Sequence, residues 1–159
     1  MRKIFLIAAV AGFAIAASAE AQLTRIGSGA VADAVEARGA VDTLYISGIT
    51  PQPLNPAKPA VRGDTKTQTL SILSQLGQIL NGQGYGFGDV TMLQVYLVAD
   101  PAKGGKMDFA GMKEAYAQVF GTQGQPGRPA RATVQVAKLV DDGQLVEIAA
   151  VAVRTPKAQ

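Results

Sequence analysis

The chain has neither cysteine nor histidine. That removes thiol nucleophiles, disulfides, Ser-His-Asp relays and zinc clusters together, and leaves carboxylates, Arg, Lys, Tyr, hydroxyls and water to carry any chemistry. Two such residues stand out by their setting. Arg131 sits at the start of 128–139, RPARATVQVAKL, just after a proline, and Glu147 interrupts 145–151, LVEIAAV. Both segments read as strands, because aliphatic and β-branched residues alternate with polar ones, and Asp141-Asp142-Gly143 between them is a turn signal that predicts a strand pair. A guanidinium and a carboxylate in β structure are costly to bury unless they are paired or used.

The elements that must position them form one domain. Met1-Arg2-Lys3 is cationic, and 4–17 is an uninterrupted apolar and small-residue run too short to span a bilayer comfortably. Ala17-Ser18-Ala19 and Ala19-Glu20-Ala21 are small-x-small cleavage sites, so 1–21 is expected to be a secretory signal peptide of the Sec type and the mature protein to be exported, periplasmic and without a membrane span. Cleavage leaves about 138 residues, enough for a single core. The formal net charge of +3 loses Arg2 and Lys3 with the signal, and no lysine or arginine run remains, which argues against a nucleic-acid partner.

Between the signal and the strand pair the patterns alternate. Weak alternation over 23–37 predicts one or two short edge strands, 41–48 a better strand closed by Gly48, and 49–62, with Pro51, Pro53, Pro56 and Pro59, a surface loop. A helix capped by Asp64 follows, its apolar face at Leu70, Leu73, Leu76, Ile79 and Leu80 and its polar face at Lys66, Gln68, Ser71 and Gln78. The glycine-rich 82–88 follows a helix and lacks a Gly-Lys-Ser/Thr ending, so it reads as a connection and not a phosphate loop. The strand at 90–98 is apolar on both faces and belongs at the centre of a sheet. A second helix, from Met107-Asp108-Phe109 to Phe120-Gly121, carries Phe109, Met112, Tyr116, Val119 and Phe120 as core. The sum is an α+β layer, a small mixed sheet with two helices on one face. Oligomerisation is the simplest cover for the other face.

From about Val41 onward the chain resembles the RidA (YjgF) family, whose members are also labelled L-PSP endoribonucleases. The resemblance is carried by 129–139 with 146–153, by Leu44-Tyr45-Ile46-Ser47-Gly48, by Gly63-Asp64 with Gln68-Thr69, by Gly88-Asp89-Val90, and by Asp108-Phe109 with Tyr116 and Phe120. It implies a chorismate-mutase-like fold and a homotrimer with ligand pockets between subunits. Arg131 matches the family arginine that holds a substrate carboxylate, a task suited to a planar fork making two charge-assisted hydrogen bonds. Glu147 matches the glutamate that positions water, and Ser47 a serine at the pocket mouth. The family tyrosine that covers the substrate falls near Ala34 here, Ile49 replaces a common glutamine, residue 132 is alanine, and Ala149 stands where many members have a second glutamate.

The activity so implied is hydrolytic deamination of reactive 2-imino acids or their enamines to 2-oxo acids and ammonia, with catalytic Arg131 and Glu147, substrate-binding Arg131 and Ser47, and no cofactor or metal. The partners expected are a small imino or oxo acid and two further copies of the chain. The alternatives are a trimer that binds a small carboxylate without turnover, an interface ion pair of Arg131 with Glu147, and, more distantly, a ribonuclease.

Overall fold

The computed structural model describes residues 22–156, so the expected signal peptide at 1–21 lies outside the described residues. The chain order is β1 (Gln22–Ile26), β2 (Ala34–Arg38), β3 (Asp42–Ile49), α1 (Thr65–Gly82), β4 (Val90–Asp100), β5 (Lys106–Met107), α2 (Phe109–Tyr116), β6 (Ala130–Val136) and β7 (Val146–Arg154). Two helices pack on one face of a mixed sheet, as the patterning predicts. β1 and β2 do not join that sheet; they pair antiparallel with each other and touch it through an Ala32–Ala130 bridge.

β4 is central, pairing antiparallel with β7 and parallel with β6, while β7 pairs antiparallel with β3 on its other side. The expected pairing of 128–139 with 145–151 is therefore corrected: β6 and β7 flank β4 on opposite sides. The turn at Asp142-Gly143 exists, but it belongs to a longer crossover. Gly143 has φ +77 and abuts the Ala60 carbonyl, a position where only glycine fits.

Alternation along the strands sorts the sheet into two faces. Leu93, Val95 and Leu97 of β4 and Val146, Ile148, Ala150 and Ala152 of β7 face the helices, where they meet Ile72, Leu76 and Leu80 of α1 and Met112, Tyr116 and Phe120. The opposite face carries Tyr45, Met92, Gln94, Ala149 and Val151 around a concavity of about 310 Å³, with Tyr45 79% exposed.

α1 starts where expected, with the Asp64 carboxylate accepting from Thr67 N at 2.8 Å. Its buried face is rotated from the expected one. Thr65, Gln68, Thr69, Ile72, Leu73, Leu76 and Leu80 are buried, and Ile79 is 40% exposed. Gln68, expected on the polar face, is fully buried because its amide is fully used. Nε2 donates to the Gly63 and Gly143 carbonyls at 2.9 and 2.8 Å, and Oε1 accepts from Leu145 N at 2.7 Å. α2 is shorter than expected. After Tyr116 the chain tightens through Gln118 N to Ala115 O and Val119 N to Tyr116 O, i to i−3 bonds that end the regular helix but keep Phe120 in the core.

Candidate functional site

Arg131 pairs in register with Leu93, so it takes the helix side of the sheet. Its guanidinium carbon lies 4.5 Å from the ring centre of Tyr116 and 5.7 Å from that of Phe109, both on α2. These are cation–π distances, and Tyr116 is itself stacked on Phe120 at 4.9 Å. Arg131 makes no ion pair among the described residues, and its Nη1 is buried without a hydrogen-bond partner. Burial pushes the guanidinium down from its ordinary pKa, and the neighbouring Tyr116 acts in the opposite sense. An arginine so placed is held by aromatic rings while its donors lack an acceptor. Such a guanidinium keeps hydrogen-bonding capacity that an anion can use.

The groove beside it encloses about 190 Å³ and is lined by Ala30, Lys113, Tyr116, Phe120, Arg128 and Arg131 among others. The Tyr116 hydroxyl is also buried without a partner. Burial raises its pKa above the ordinary phenol value, against the lowering effect of Arg131 and Arg128, so it stays protonated and can donate at neutral pH.

Glu147 is elsewhere. It pairs with Tyr96, between the core residues Val146 and Ile148, and therefore faces the side of the sheet away from the helices. There it meets the edge strand β3, whose register slips between Ile46 and Ile49 to leave Ser47 and Gly48 as a bulge. The Glu147 carboxylate occupies the space that a side chain at position 48 would fill. Ser47 is exposed in this bulge. The structure thus brings Glu147 to the Ser47-Gly48 bulge and sets Arg131 apart, on the other face and toward the other edge. Within one chain the two are not an ion pair.

The residues that sequence reasoning missed are Arg128, Lys113 and the Tyr116 hydroxyl. Tyr116 is indeed core, but it also lines the groove. The available signal was the i, i+3 spacing of Lys113 and Tyr116 on one helix face; nothing in the spacing of Arg128 and Arg131 along an extended segment points to a shared groove. Ala34, near which the resemblance places the family's covering tyrosine, is an exposed residue of β2, and Ala30 lines the groove instead. Among the described residues no group of acidic side chains is arranged to hold a metal ion, and no helix is long and apolar enough to cross a membrane.

The family profile described as Endoribonuclease L-PSP matches residues 28–154. The chain belongs to the RidA/YjgF family. This RidA-family chain is 38% identical to a RutC family protein of Pyrococcus horikoshii over 110 residues, 69% of this chain and 77% of the relative. It is similar to the solved RidA of an Antarctic Psychrobacter at 28% identity and TM-score 0.54, over 80% of this chain and 91% of that one. It is also similar to Escherichia coli TdcF, solved with bound serine, at 29% identity and TM-score 0.55, over 70% of this chain and 80% of that one. The RidA fold accounts for the mixed sheet, the two helices and the exposed second face.

Proposed function

We propose that this protein is a deaminase of 2-imino acids, working as a homotrimer with each site shared between neighbouring subunits. The observation that carries the reading is the half-buried Arg131 guanidinium, set against Tyr116 and Phe109 and without an acidic partner among the described residues. It suits the carboxylate of a 2-imino acid, and the serine bound by the TdcF relative is a carboxylate ligand of similar size. Since Arg131 and Glu147 occupy opposite faces of one chain, the site is completed when the Ser47-Gly48 bulge and Glu147 of one copy approach Arg131 of the next. The partly apolar open face around Tyr45, Met92 and Val151 gives the copies a reason to associate.

In that cleft Arg131 fixes the carboxylate and Glu147 holds a water against C2. The water oxygen bonds to C2 as the C=N π electrons move to nitrogen. Glu147 takes a proton from the water and returns it to nitrogen, and the carbinolamine then expels ammonia as its hydroxyl becomes the 2-oxo group. On the same reading 1–21 direct export to the periplasm, with cleavage after Ala19 or Ala21, which N-terminal sequencing of the mature protein checks.

The test is release of 2-oxo acid from imines generated in place by an amino-acid oxidase. Arg131→Ala and Glu147→Gln each abolish the acceleration, and mixing the two variant chains under conditions of subunit exchange restores part of it. Restoration requires that one copy supply Arg131 and another Glu147, so inactive mixtures made from folded, exchanging trimers overturn the shared site. The separation of Arg131 from Glu147 in one chain also favours a second reading, a binding protein for small carboxylates. Wild-type protein that binds 2-oxo acids yet leaves imine loss unchanged establishes that reading instead.

A further inference from the structure

The groove beside Arg131 holds more positive charge than a single carboxylate calls for. Lys113, Arg128 and Arg131 all line it, and none of them makes an ion pair among the described residues. The acidic residues of this region are engaged elsewhere: Glu114 with Lys66 at 2.9 Å, and Asp108 with the α2 N-terminus and with Lys103 at 3.8 Å. Three cationic side chains without acidic partners around about 190 Å³ form a setting that favours an anion of matching charge.

The spacing of the two arginines is informative. Arg128 precedes Arg131 by three residues across Pro129, so their backbones are at most about 10 Å apart. Both side chains line the one groove, so a short acid ionised at both ends can reach the two. Arg128 is also directed by its surroundings. A Cβ at Gly121 would come within 2.8 Å of Arg128 Nε, and Gly121 adopts φ +73, so glycine at that position leaves the lane in which the Arg128 side chain lies. Arg128 and Arg131 line the same groove as Tyr116, whose ring centre lies 4.5 Å from the Arg131 guanidinium carbon.

We infer that this groove selects dianions: 2-imino or 2-oxo acids carrying a second anionic group, held at the first carboxylate by Arg131 and at the second group by Arg128 with Lys113. The inference rests on the proposed role of Arg131 as a carboxylate anchor, and it assigns Arg128 as a specificity residue. The second group is a carboxylate or a phosphate-like oxyanion, the shared requirement being negative charge with acceptors for a guanidinium.

Titration calorimetry of the intact oligomer with 2-oxobutanoate, 2-oxoglutarate and 3-phosphonopyruvate tests it. At least one dianion is expected to bind about tenfold more tightly than the monoanion, its identity naming the second group. Arg128→Gln is expected to reduce the dianion-to-monoanion affinity ratio about tenfold, and Arg128→Lys to recover much of it. Equal affinity for all three ligands, or an Arg128→Gln variant that keeps the wild-type ratio in a folded oligomer, overturns the inference. Arg131→Ala separates the two ideas: if it leaves binding of all three intact, the anchor reading fails, while the ratio measured with Arg128→Gln still decides the role of Arg128.

Discussion

The Arg131 guanidinium lies 4.5 Å from the ring centre of Tyr116, whose own hydroxyl is buried with no hydrogen-bond partner. The ring and the hydroxyl can therefore be tested apart. Tyr116→Phe keeps the platform and removes an unsatisfied buried group, so thermal stability is expected to hold or rise slightly. Affinity for a 2-oxo acid is expected to fall about fivefold to tenfold, because the hydroxyl stays protonated and is free to donate to the ligand. Paired melting and titration measurements check both halves, and an unchanged affinity assigns the hydroxyl no part in binding.

Gly48 is matched to Glu147, whose carboxylate fills the space above it. Gly48→Ala is expected to displace that carboxylate, lowering imine turnover by about a hundredfold through lost positioning. Binding of 2-oxo acids through Arg131 should change much less. Single-turnover kinetics beside equilibrium titration would show the split.

Gln68 joins the start of α1 to the segment entering β7 through three hydrogen bonds. Replacing it with alanine leaves two carbonyls and one N–H without these partners at a part-buried junction and opens a gap where the buried side chain lay. The expected loss is about 3 kcal/mol or more of unfolding free energy, readable from urea denaturation midpoints.

Asp64 caps α1, and its bond from Thr67 lowers the carboxyl pKa below 3.8. A lowered acid pKa contributes stability that is complete above the unfolded-state value and disappears as pH falls through the folded-state value. Asp64→Ala is thus expected to cost about 1 kcal/mol at neutral pH, with the difference from wild type shrinking as the medium is acidified below the ordinary aspartate range. Parallel denaturation curves at several pH values check the trend.

The layer architecture and the central place of β4 were legible in the sequence, because apolar runs and helical spacing record burial directly. The buried face of α1 was not fully legible. Thr65, Gln68 and Thr69 are polar by type and satisfied by geometry, as in the bond from Thr69 Oγ1 to the Thr65 carbonyl, and periodicity of apolar residues does not register them. The placement of β6 failed for another reason. Asp142-Gly143 signals a turn, but a turn signal does not say which strand the chain meets next, and the register of β4 decides that by offering both edges. For the same reason Arg131 and Glu147 could be picked out by type, while their opposite faces became visible only with the register.

The position of β7 between β3 and β4 also has a temporal consequence. The strand that joins the two halves of the sheet is the last to be synthesised, so a nascent chain still attached to the ribosome before Val146 emerges has β3 without its mate and β4 with one bare edge. Such a chain cannot complete its core ahead of time. Closure of the sheet needs contacts between residues about a hundred positions apart, a long-range pairing expected to slow folding relative to a fold built from local contacts.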